Sequence, residues 1–141
     1  MAAGFGTPDE ELEVAERRYG AVPLLDEAAL RSAGKDVAAY FAHRRRTLRT
    51  AVDLAAAGRG FGRAVYEATM QIPYATLRTY GDVAAAAGRP RAWRAAGTAL
   101  RRCPVELWIP CHRVVPAGPG FGSYGGHSER RLALLRLERA I

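Results

Sequence analysis

The sequence is poor in several features that would indicate a function directly. It has two cysteines in 141 residues, too few for the disulfide framework of a small secreted domain. No apolar run approaches the roughly 20 residues that span a bilayer, and residues 1–13 lack the basic and apolar regions of a signal peptide. Because 49% of the residues are apolar, a hydrophobic core is still available. We expect a soluble, cytoplasmic chain without a membrane partner, made of one main domain and a smaller lobe.

Acidic residues are scarce in the second half of the chain, and lysine is almost absent throughout. Residues 71–141 contain eleven arginines and four acidic residues, so this half carries the whole net charge of +7, while the charges in residues 1–70 cancel. A one-sided basic excess favours a polyanion such as nucleic acid, because phosphate contacts release counterions. The alternative is a solvated, arginine-rich surface, and charge alone does not decide between the two.

The first part of the chain reads as helical, with no strand pattern before residue 60. A capping pattern predicts a first helix over 7–20. Asp26 can cap a second helix, and a further helix is predicted over 61–71, ending before a proline. The apolar face expected for the second helix consists of Ala29, Val37, Tyr40 and Phe41.

Two short helices follow that form a helix-turn-helix pattern. Thr79 and Asp82 have the spacing of a capping arrangement, and Gly88 supplies a stop signal. The second helix then begins near 91, with three residues expected to face inward: Trp93, Ala96 and Leu100. Many helical hairpins bind nothing, but this one has arginines along its second helix and at both ends. We therefore expect it to dock on DNA.

The remaining segment predicts a strand, a loop and a last helix. Apolar residues alternate over 105–109, which predicts a short strand that Pro110 interrupts. Residues 116–126 include five glycines and two prolines, so this loop allows close backbone approach to a ligand, although it lacks the lysine of a phosphate-binding loop. Ser128 is expected to cap a helix that ends near Glu138.

The most reactive combination in the sequence is Cys111 beside His112, in the segment IPCHRVV. A histidine or a positive charge nearby is what makes a thiol nucleophilic, but successive side chains of a strand point to opposite faces. His112 could then act only across a bend or through a water, and would need a carboxylate such as Glu138 to orient it. The alternatives are a buried thiol and a solvent-exposed Glu138. Ligand spacing for a metal is missing, so we expect no metal site.

Several motifs, taken together, resemble one known family. IPCHRVV, the stretch IPYATLRTYGDVAAAAGRPRAWRAAGTAL and the loop GFGSYGG resemble, in collinear order, the active site, DNA-binding helices and substrate loop of the O6-alkylguanine-DNA alkyltransferases. The resemblance runs from Phe61 to Glu138. It implies a mostly helical α+β fold. A catalytic and DNA-binding domain with a winged-helix-like helix-turn-helix would span 58–141, and an abbreviated helical lobe without the family's sheet would span 1–57.

The resemblance implies an irreversible, single-turnover transfer of the alkyl group from O6 of guanine in DNA to the thiolate of Cys111, with no cofactor. His112 would deprotonate the thiol through water, and Glu138 would orient His112. The damaged base would be rotated out of the duplex into a pocket. The residues implied in binding that base are Tyr80, the Val114 carbonyl, the Ser123 and Gly125 backbone, and Tyr124, which also helps to protonate the departing guanine.

The resemblance also implies a partner, double-stranded DNA bound through its minor groove by a monomer. Tyr80 would push on a phosphate, and Arg94 would fill the gap left in the base stack. The residues implied in DNA binding are Thr79, Tyr80, Arg94, Ala95, Ala96, Gly97 and Arg101. Cys103 stands where the family usually has an asparagine, and the resemblance does not extend to Arg130 and Arg131. The rival functions are a non-catalytic, alkyltransferase-like lesion-binding protein and a helix-turn-helix regulator.

Overall fold

The structure is a computed structural model, and it describes residues 26–54, 57 and 59–141 together with the single positions 7, 13, 16 and 17. Most of the helix predicted over 7–20 lies outside the described residues. From residue 26 onward the α-helices are α1 (Glu27–Phe41), α2 (Phe61–Met70), α3 (Tyr80–Ala86), α4 (Trp93–Leu100) and α5 (Ser128–Leu137). Two short strands, β1 (Arg78–Thr79) and β2 (Val114–Val115), and two 3₁₀ turns, Cys111–Arg113 and Tyr124–Gly126, are also present. The expected mostly helical α+β class is therefore confirmed.

Helix α1 begins as predicted, because the Asp26 carboxylate accepts a hydrogen bond of 2.9 Å from the backbone N–H of Ala29. The helix buries Ala33, Asp36 and Tyr40. Phe41 was expected on the same face, but 47% of its surface is exposed. The helix ends at this residue, and the Phe41 ring lies against the Tyr40 ring, with 5.4 Å between the centroids, and not in the core.

A buried carboxylate ties the chain after α1 back to the helix. Asp36 accepts hydrogen bonds from the backbone N–H groups of Arg49 and Thr50, both at 2.6 Å, and from the Thr50 hydroxyl at 2.8 Å. It also pairs with Arg45. Charge-assisted bonds of this kind are stronger than neutral ones, so residues 45–50 are held against α1 although they form no helix or strand.

Helices α2, α3 and α4 pack together around the main core. The Thr79–Asp82 capping box opens α3 as predicted, with both reciprocal bonds present, and Gly88 follows the helix with a φ of +82°. Trp93 was expected inside but has 49% of its surface exposed, because α4 begins at this residue and only Ala96 and Leu100 turn inward.

The strand predicted over 105–109 is wrong. The segment is a tight turn, in which the Ile109 N–H donates to the Val105 carbonyl at 3.1 Å and Leu107 has a φ of +71°. The alternating apolar residues of 105–109 are therefore buried on both sides of a turn and do not form an extended chain. The observed strands lie elsewhere: β1 and β2 pair in parallel, with Arg78 opposite Val114 and Thr79 opposite Val115. This pairing places the start of α3 beside the chain that follows Cys111.

Helix α5 closes the structure over the 111–113 and 124–126 turns, which it contacts directly. Ser128 was predicted to cap this helix, but it is the first residue of the helix, and no side chain caps it. It buries Arg131, Leu134 and Leu135 and ends at Leu137, with Glu138 directly after it. None of the described helices combines the length and the apolar character needed to cross a membrane.

Candidate active site

The backbone at Cys111 is a tight turn and not a strand. After Pro110, residues Cys111–Arg113 form one turn of 3₁₀ helix, and the Arg113 N–H donates to the Pro110 carbonyl at 2.9 Å. Consecutive side chains therefore do not alternate between two faces, which removes the geometric objection to Cys111 and His112 working together. All three side chains of the turn are buried, with 3% of Cys111 and none of His112 exposed.

Glu138 is the centre of the polar cluster behind this turn. Its carboxylate pairs with Nε2 of His112 at 2.8 Å and accepts from Nη2 of Arg113 at 2.7 Å. It also accepts from the Tyr40 hydroxyl at 2.5 Å and from the Ala75 backbone N–H at 3.0 Å. Glu138 is 1% exposed, so the alternative of a solvent-exposed helix end is wrong.

The protonation states of this cluster follow from its contacts. Burial by itself raises the pKa of Glu138, but the hydrogen bonds from His112, Arg113 and Tyr40 outweigh it and hold that pKa well below its usual range. Burial lowers the pKa of His112, an effect that the Glu138 contact offsets only in part. At neutral pH the pair is therefore an ionised carboxylate and a neutral imidazole. Because a carboxylate only accepts, Nε2 carries the proton.

The other ring nitrogen of His112 is consequently the basic one. Nδ1 is buried and has no hydrogen-bond partner among the described residues. A neutral imidazole held at Nε2 by a carboxylate can accept a proton at Nδ1, as a general base requires. Arg113 anchors the turn from the other side, since its Nη1 donates to the Ile72 carbonyl at 2.7 Å.

The Cys111 thiol is protonated in this resting state. Burial raises its pKa well above the usual value, and a hydrogen bond with Cys103 and the nearby charge of Glu106 raise it further. Cys103 is thus a neighbour of Cys111 that disfavours its thiolate, at the position where the sequence departs from the family pattern. A thiol in this environment becomes a nucleophile only when a base removes its proton at the moment of reaction.

Tyr124 stands on the loop side of the cysteine. It begins the 124–126 turn with a φ of +48°, an uncommon backbone conformation for a non-glycine residue. Its hydroxyl is buried without a hydrogen-bond partner in the described structure. Burial and the neighbouring Cys111 both raise the pKa of this phenol. Ser123 and Gly125 on either side are exposed, and the Val114 side chain is fully buried in the core.

Arg131 was missed by sequence reasoning, although it occupies a central place. Its guanidinium carbon lies 4.6 Å from the centroid of the Tyr124 ring, and its Nη2 donates to the Tyr80 hydroxyl at 3.3 Å. It also donates to the Phe121 carbonyl. The one available signal was an arginine at an inward position of α5, which helical periodicity could have located.

The residues expected to contact DNA are divided between the surface and the core. Tyr80 begins α3, and a Cβ placed on Gly97 would lie 3.7 Å from its ring, so the two helices meet closely at this point. Arg94 and Ala95 are exposed on α4, and Arg101 is exposed directly after it. Ala96 is fully buried. Its side chain therefore packs on the core, and its role in DNA binding stays a prediction.

Cavities and metal ligands add little to this site. A cavity of about 440 Å³ is lined by residues that include Tyr40, Trp108 and Arg113, and Cys111 does not line it. In the described ranges no three His, Cys, Asp or Glu side chains are grouped as a metal site would need.

The site combines a buried cysteine with a neutral histidine that is hydrogen-bonded to a carboxylate. This arrangement is typical of proteins that use a single activated thiol as a nucleophile. Residues 60–140 match a family model described as 6-O-methylguanine DNA methyltransferase, DNA binding domain. This match covers more than half of the chain. The chain therefore belongs to the 6-O-methylguanine DNA methyltransferase family, as the sequence motifs indicated.

Individual relatives agree with this assignment. The methylated-DNA–protein-cysteine methyltransferase of Mycobacterium leprae is 35% identical over 144 residues, which covers 99% of this chain and 85% of the relative. The crystal structure of Mycobacterium tuberculosis O6-methylguanine methyltransferase matches with a TM-score of 0.73 at 37% identity, over 82% of this chain and 68% of that one. Mycobacterium tuberculosis OGT in complex with DNA matches with a TM-score of 0.72 at 38% identity, over 77% and 65%.

Proposed function

We propose that this protein repairs DNA by transferring the alkyl group from O6 of a damaged guanine to the sulfur of Cys111. It is then a methylated-DNA–protein-cysteine methyltransferase that works once, because the product is a stable thioether. The observation that carries the proposal is the buried Cys111 on the same tight turn as a neutral His112, which an ionised Glu138 holds through Nε2. The family membership and the names of the relatives support it.

The reaction uses groups that the chain itself supplies. The Cys111 proton passes through a water to Nδ1 of His112, and the imidazolium is stabilised by the Glu138 carboxylate. The sulfur then attacks the alkyl carbon, the carbon–O6 bond breaks, and its electron pair leaves with guanine. Tyr124 gives a proton to the departing base. The Tyr124 phenolate then recovers a proton from the His112 imidazolium. The sum of these steps is a thioether and neutral guanine, so no cofactor or metal enters.

The base is recognised outside the duplex, since a thiol buried among these elements cannot reach an atom inside the stack. Tyr124 forms one wall of the pocket. The Ser123 and Gly125 backbone contacts O6, and the Val114 carbonyl accepts from the exocyclic amine. Tyr80 assists rotation by pushing on the phosphate of the damaged nucleotide.

Helices α3 and α4 act as the DNA-binding helix-turn-helix, with α4 in the minor groove of double-stranded DNA. Arg94 enters the stack, while Ala95 and Gly97 allow the backbone to approach closely. Thr79 and Arg101 lie toward the two ends of the same surface, and Ala96 supports it from inside. The exposure of Arg94 and Arg101 and the excess of arginine in this half support the placement.

The chain divides into an amino-terminal lobe, 1–57, and a catalytic and DNA-binding domain, 58–141, and it acts as a cytoplasmic monomer. The lobe is not separate from the chemistry. Tyr40 of α1 donates to Glu138, so the lobe takes part in setting the charge and position of the carboxylate that holds His112.

A mass measurement tests the proposed function. The protein is incubated with a duplex containing O6-methylguanine, and intact and peptide mass spectra are recorded. The expected result is a gain of one methyl confined to the peptide that contains Cys111. Cys111→Ala should show no gain, and Cys103→Ala, the matched control, should keep it. Binding of the lesion without any methyl gain would favour a lesion-binding protein. Binding to a preferred undamaged sequence that Cys111→Ala leaves unchanged would favour a regulator.

A further inference from the structure

Arg131 is a buried cation without a carboxylate. Only 2% of its surface is exposed, and no acidic side chain in the described part of the chain lies within ion-pair distance of it. Burying an unpaired charge is costly unless other groups compensate for the lost water. The three compensating groups are the Tyr124 ring, the Phe121 carbonyl and the Tyr80 hydroxyl, and all three belong to the elements around the candidate site.

The geometry of these contacts is that of a clamp on the 116–126 loop. Gly122 shows how tightly the loop closes on Arg131: a Cβ at this residue would lie 3.1 Å from Nη1 of Arg131 and 3.0 Å from Pro116, at a φ of +74°. The loop therefore rests on the guanidinium. Tyr124, two residues later, lies with its ring 4.6 Å from the same group, within the range of a cation–π interaction.

A cation in this position also has an electronic effect on Tyr124. Burial and Cys111 disfavour loss of the phenol proton and raise the pKa, and Arg131 is the neighbouring group that acts in the opposite direction. A nearby positive charge stabilises the phenolate, so it makes the hydroxyl a better proton donor. Tyr124 meets the base directly, whereas Arg131 acts only through it.

We propose that Arg131 is a positioning residue that fixes the Tyr124 ring in the pocket and strengthens its hydroxyl as the proton donor to departing guanine. This inference rests on the proposed function. When the carbon–O6 bond breaks, the Tyr124 proton moves to the base and the phenolate forms beside the Arg131 cation. The phenolate then recovers the proton that Cys111 gave to His112. The net reaction is unchanged, and Arg131 lowers the barrier of its proton-transfer step.

A double-mutant cycle tests this role. Single-turnover rates of methyl transfer to Cys111 are measured at saturating O6-methylguanine duplex for wild type, Arg131→Lys, Arg131→Gln, Tyr124→Phe and the two double variants. Arg131→Gln should slow transfer about tenfold or more, while Arg131→Lys, which keeps the charge, should recover most of the rate. In the Tyr124→Phe background the hydroxyl is gone, so Arg131→Gln should then cost less than about a third of its original effect. Arg136→Gln, an exposed arginine on the same helix, is the matched control and should leave the rate unchanged.

The outcomes separate this inference from the function on which it rests. Equal losses for Arg131→Gln in both backgrounds, or better recovery with glutamine than with lysine, would overturn the role of Arg131. A wild-type protein that gains no methyl would instead overturn the proposed function. If Arg131→Gln does not remain folded in a thermal melt, Arg131→Met, which also lacks the charge, replaces it in the cycle with Tyr124→Phe, and additive losses contradict coupling through the hydroxyl.

Discussion

The hydroxyl of Tyr40 donates a hydrogen bond of 2.5 Å to Oε1 of Glu138, a residue 98 positions further along the chain. The same oxygen faces Nε2 of His112 at 2.8 Å. A helix of the amino-terminal lobe thus contacts the carboxylate on which the candidate base depends. The lobe stabilises the charged form of Glu138 and, through it, the tautomer of His112.

Removal of this hydroxyl should affect both stability and rate. Tyr40→Phe leaves a buried carboxylate with one donor fewer, and we expect a loss of about 1–3 kcal/mol in the free energy of unfolding. Urea denaturation measures it, and methyl transfer should slow in parallel. Tyr74→Phe is the matched control, because that hydroxyl meets the Leu137 carbonyl at 3.3 Å and not Glu138. A larger loss for the control than for Tyr40→Phe would contradict this account.

Glu138 should make the fold sensitive to acid. Its pKa is depressed in the folded state, so its contribution to stability is complete above the unfolded value of about 4.3 and is lost as the pH falls through the lower folded value. Glu138→Gln should reduce the free energy of unfolding by about 3 kcal/mol at pH 7, since Arg113 loses its buried partner. The difference from wild type should shrink toward pH 3.

Denaturation curves recorded across this pH range test the point. The control is Glu129→Gln, an exposed carboxylate on α5 whose contact with His127 spans 3.6 Å. It should leave the pH dependence as it is in wild type. A deficit of Glu138→Gln that stayed constant from pH 7 to pH 3 would show that the lowered pKa does not contribute to stability.

Cys103 should influence the pKa of the Cys111 thiol, which accepts the alkyl group. Burial is the main cause of the raised pKa of Cys111, and the hydrogen bond with Cys103 adds to it by favouring the protonated thiol. Cys103→Ala should therefore lower the Cys111 pKa while leaving it above the value of a free thiol. Ultraviolet absorbance of the thiolate measures it directly, because only one cysteine remains in this variant. The reference is the titration curve of wild type minus that of Cys111→Ala. A Cys111 pKa in Cys103→Ala that is unchanged or higher would contradict the hydrogen bond with Cys103.

Arg94 should matter for duplex DNA and not for the chemistry. If it fills the gap in the base stack, Arg94→Ala should slow repair of O6-methylguanine in a duplex by about tenfold or more, because unstacking a base costs a few kcal/mol. Its reaction with free O6-benzylguanine should be nearly unaffected. Arg91→Ala, the neighbouring exposed arginine, controls for loss of charge alone. If Arg94→Ala slowed the reactions with the duplex and with free O6-benzylguanine equally, Arg94 would have no role in base rotation.

Local signals in the sequence were sufficient for the elements that local interactions determine. The Thr79–Asp82 capping box and the stop at Gly88 depend on neighbours within four residues, and both are present in the structure. The expected inward positions of Phe41 and Trp93 are wrong for a related reason. Each residue lies at the end of its helix, where the face of the helix no longer determines what a side chain packs against.

The site was predictable to the extent that a motif encodes it. Cys111, His112 and Glu138 were identified from the sequence by family resemblance, and the structure brings them together. Tyr40 and Arg131 were not, because each contact joins distant parts of the chain and leaves no local pattern. A tyrosine on an apolar helix face reads as core, and an arginine reads as surface. Only the folded structure shows that both point to the same small region.

Helix α1 is held at two places one turn apart. Asp36 fastens the chain that follows the helix, through Arg49 and Thr50, and Tyr40 fastens the helix to Glu138. The Asp36 contacts join two segments of the lobe, so α1 and residues 45–50 stay together as one unit. The Tyr40 contact joins that unit to the carboxylate that holds His112. Separating the lobe would leave Glu138 buried with one donor fewer, so we expect loss of the lobe to destabilise the cysteine site as well.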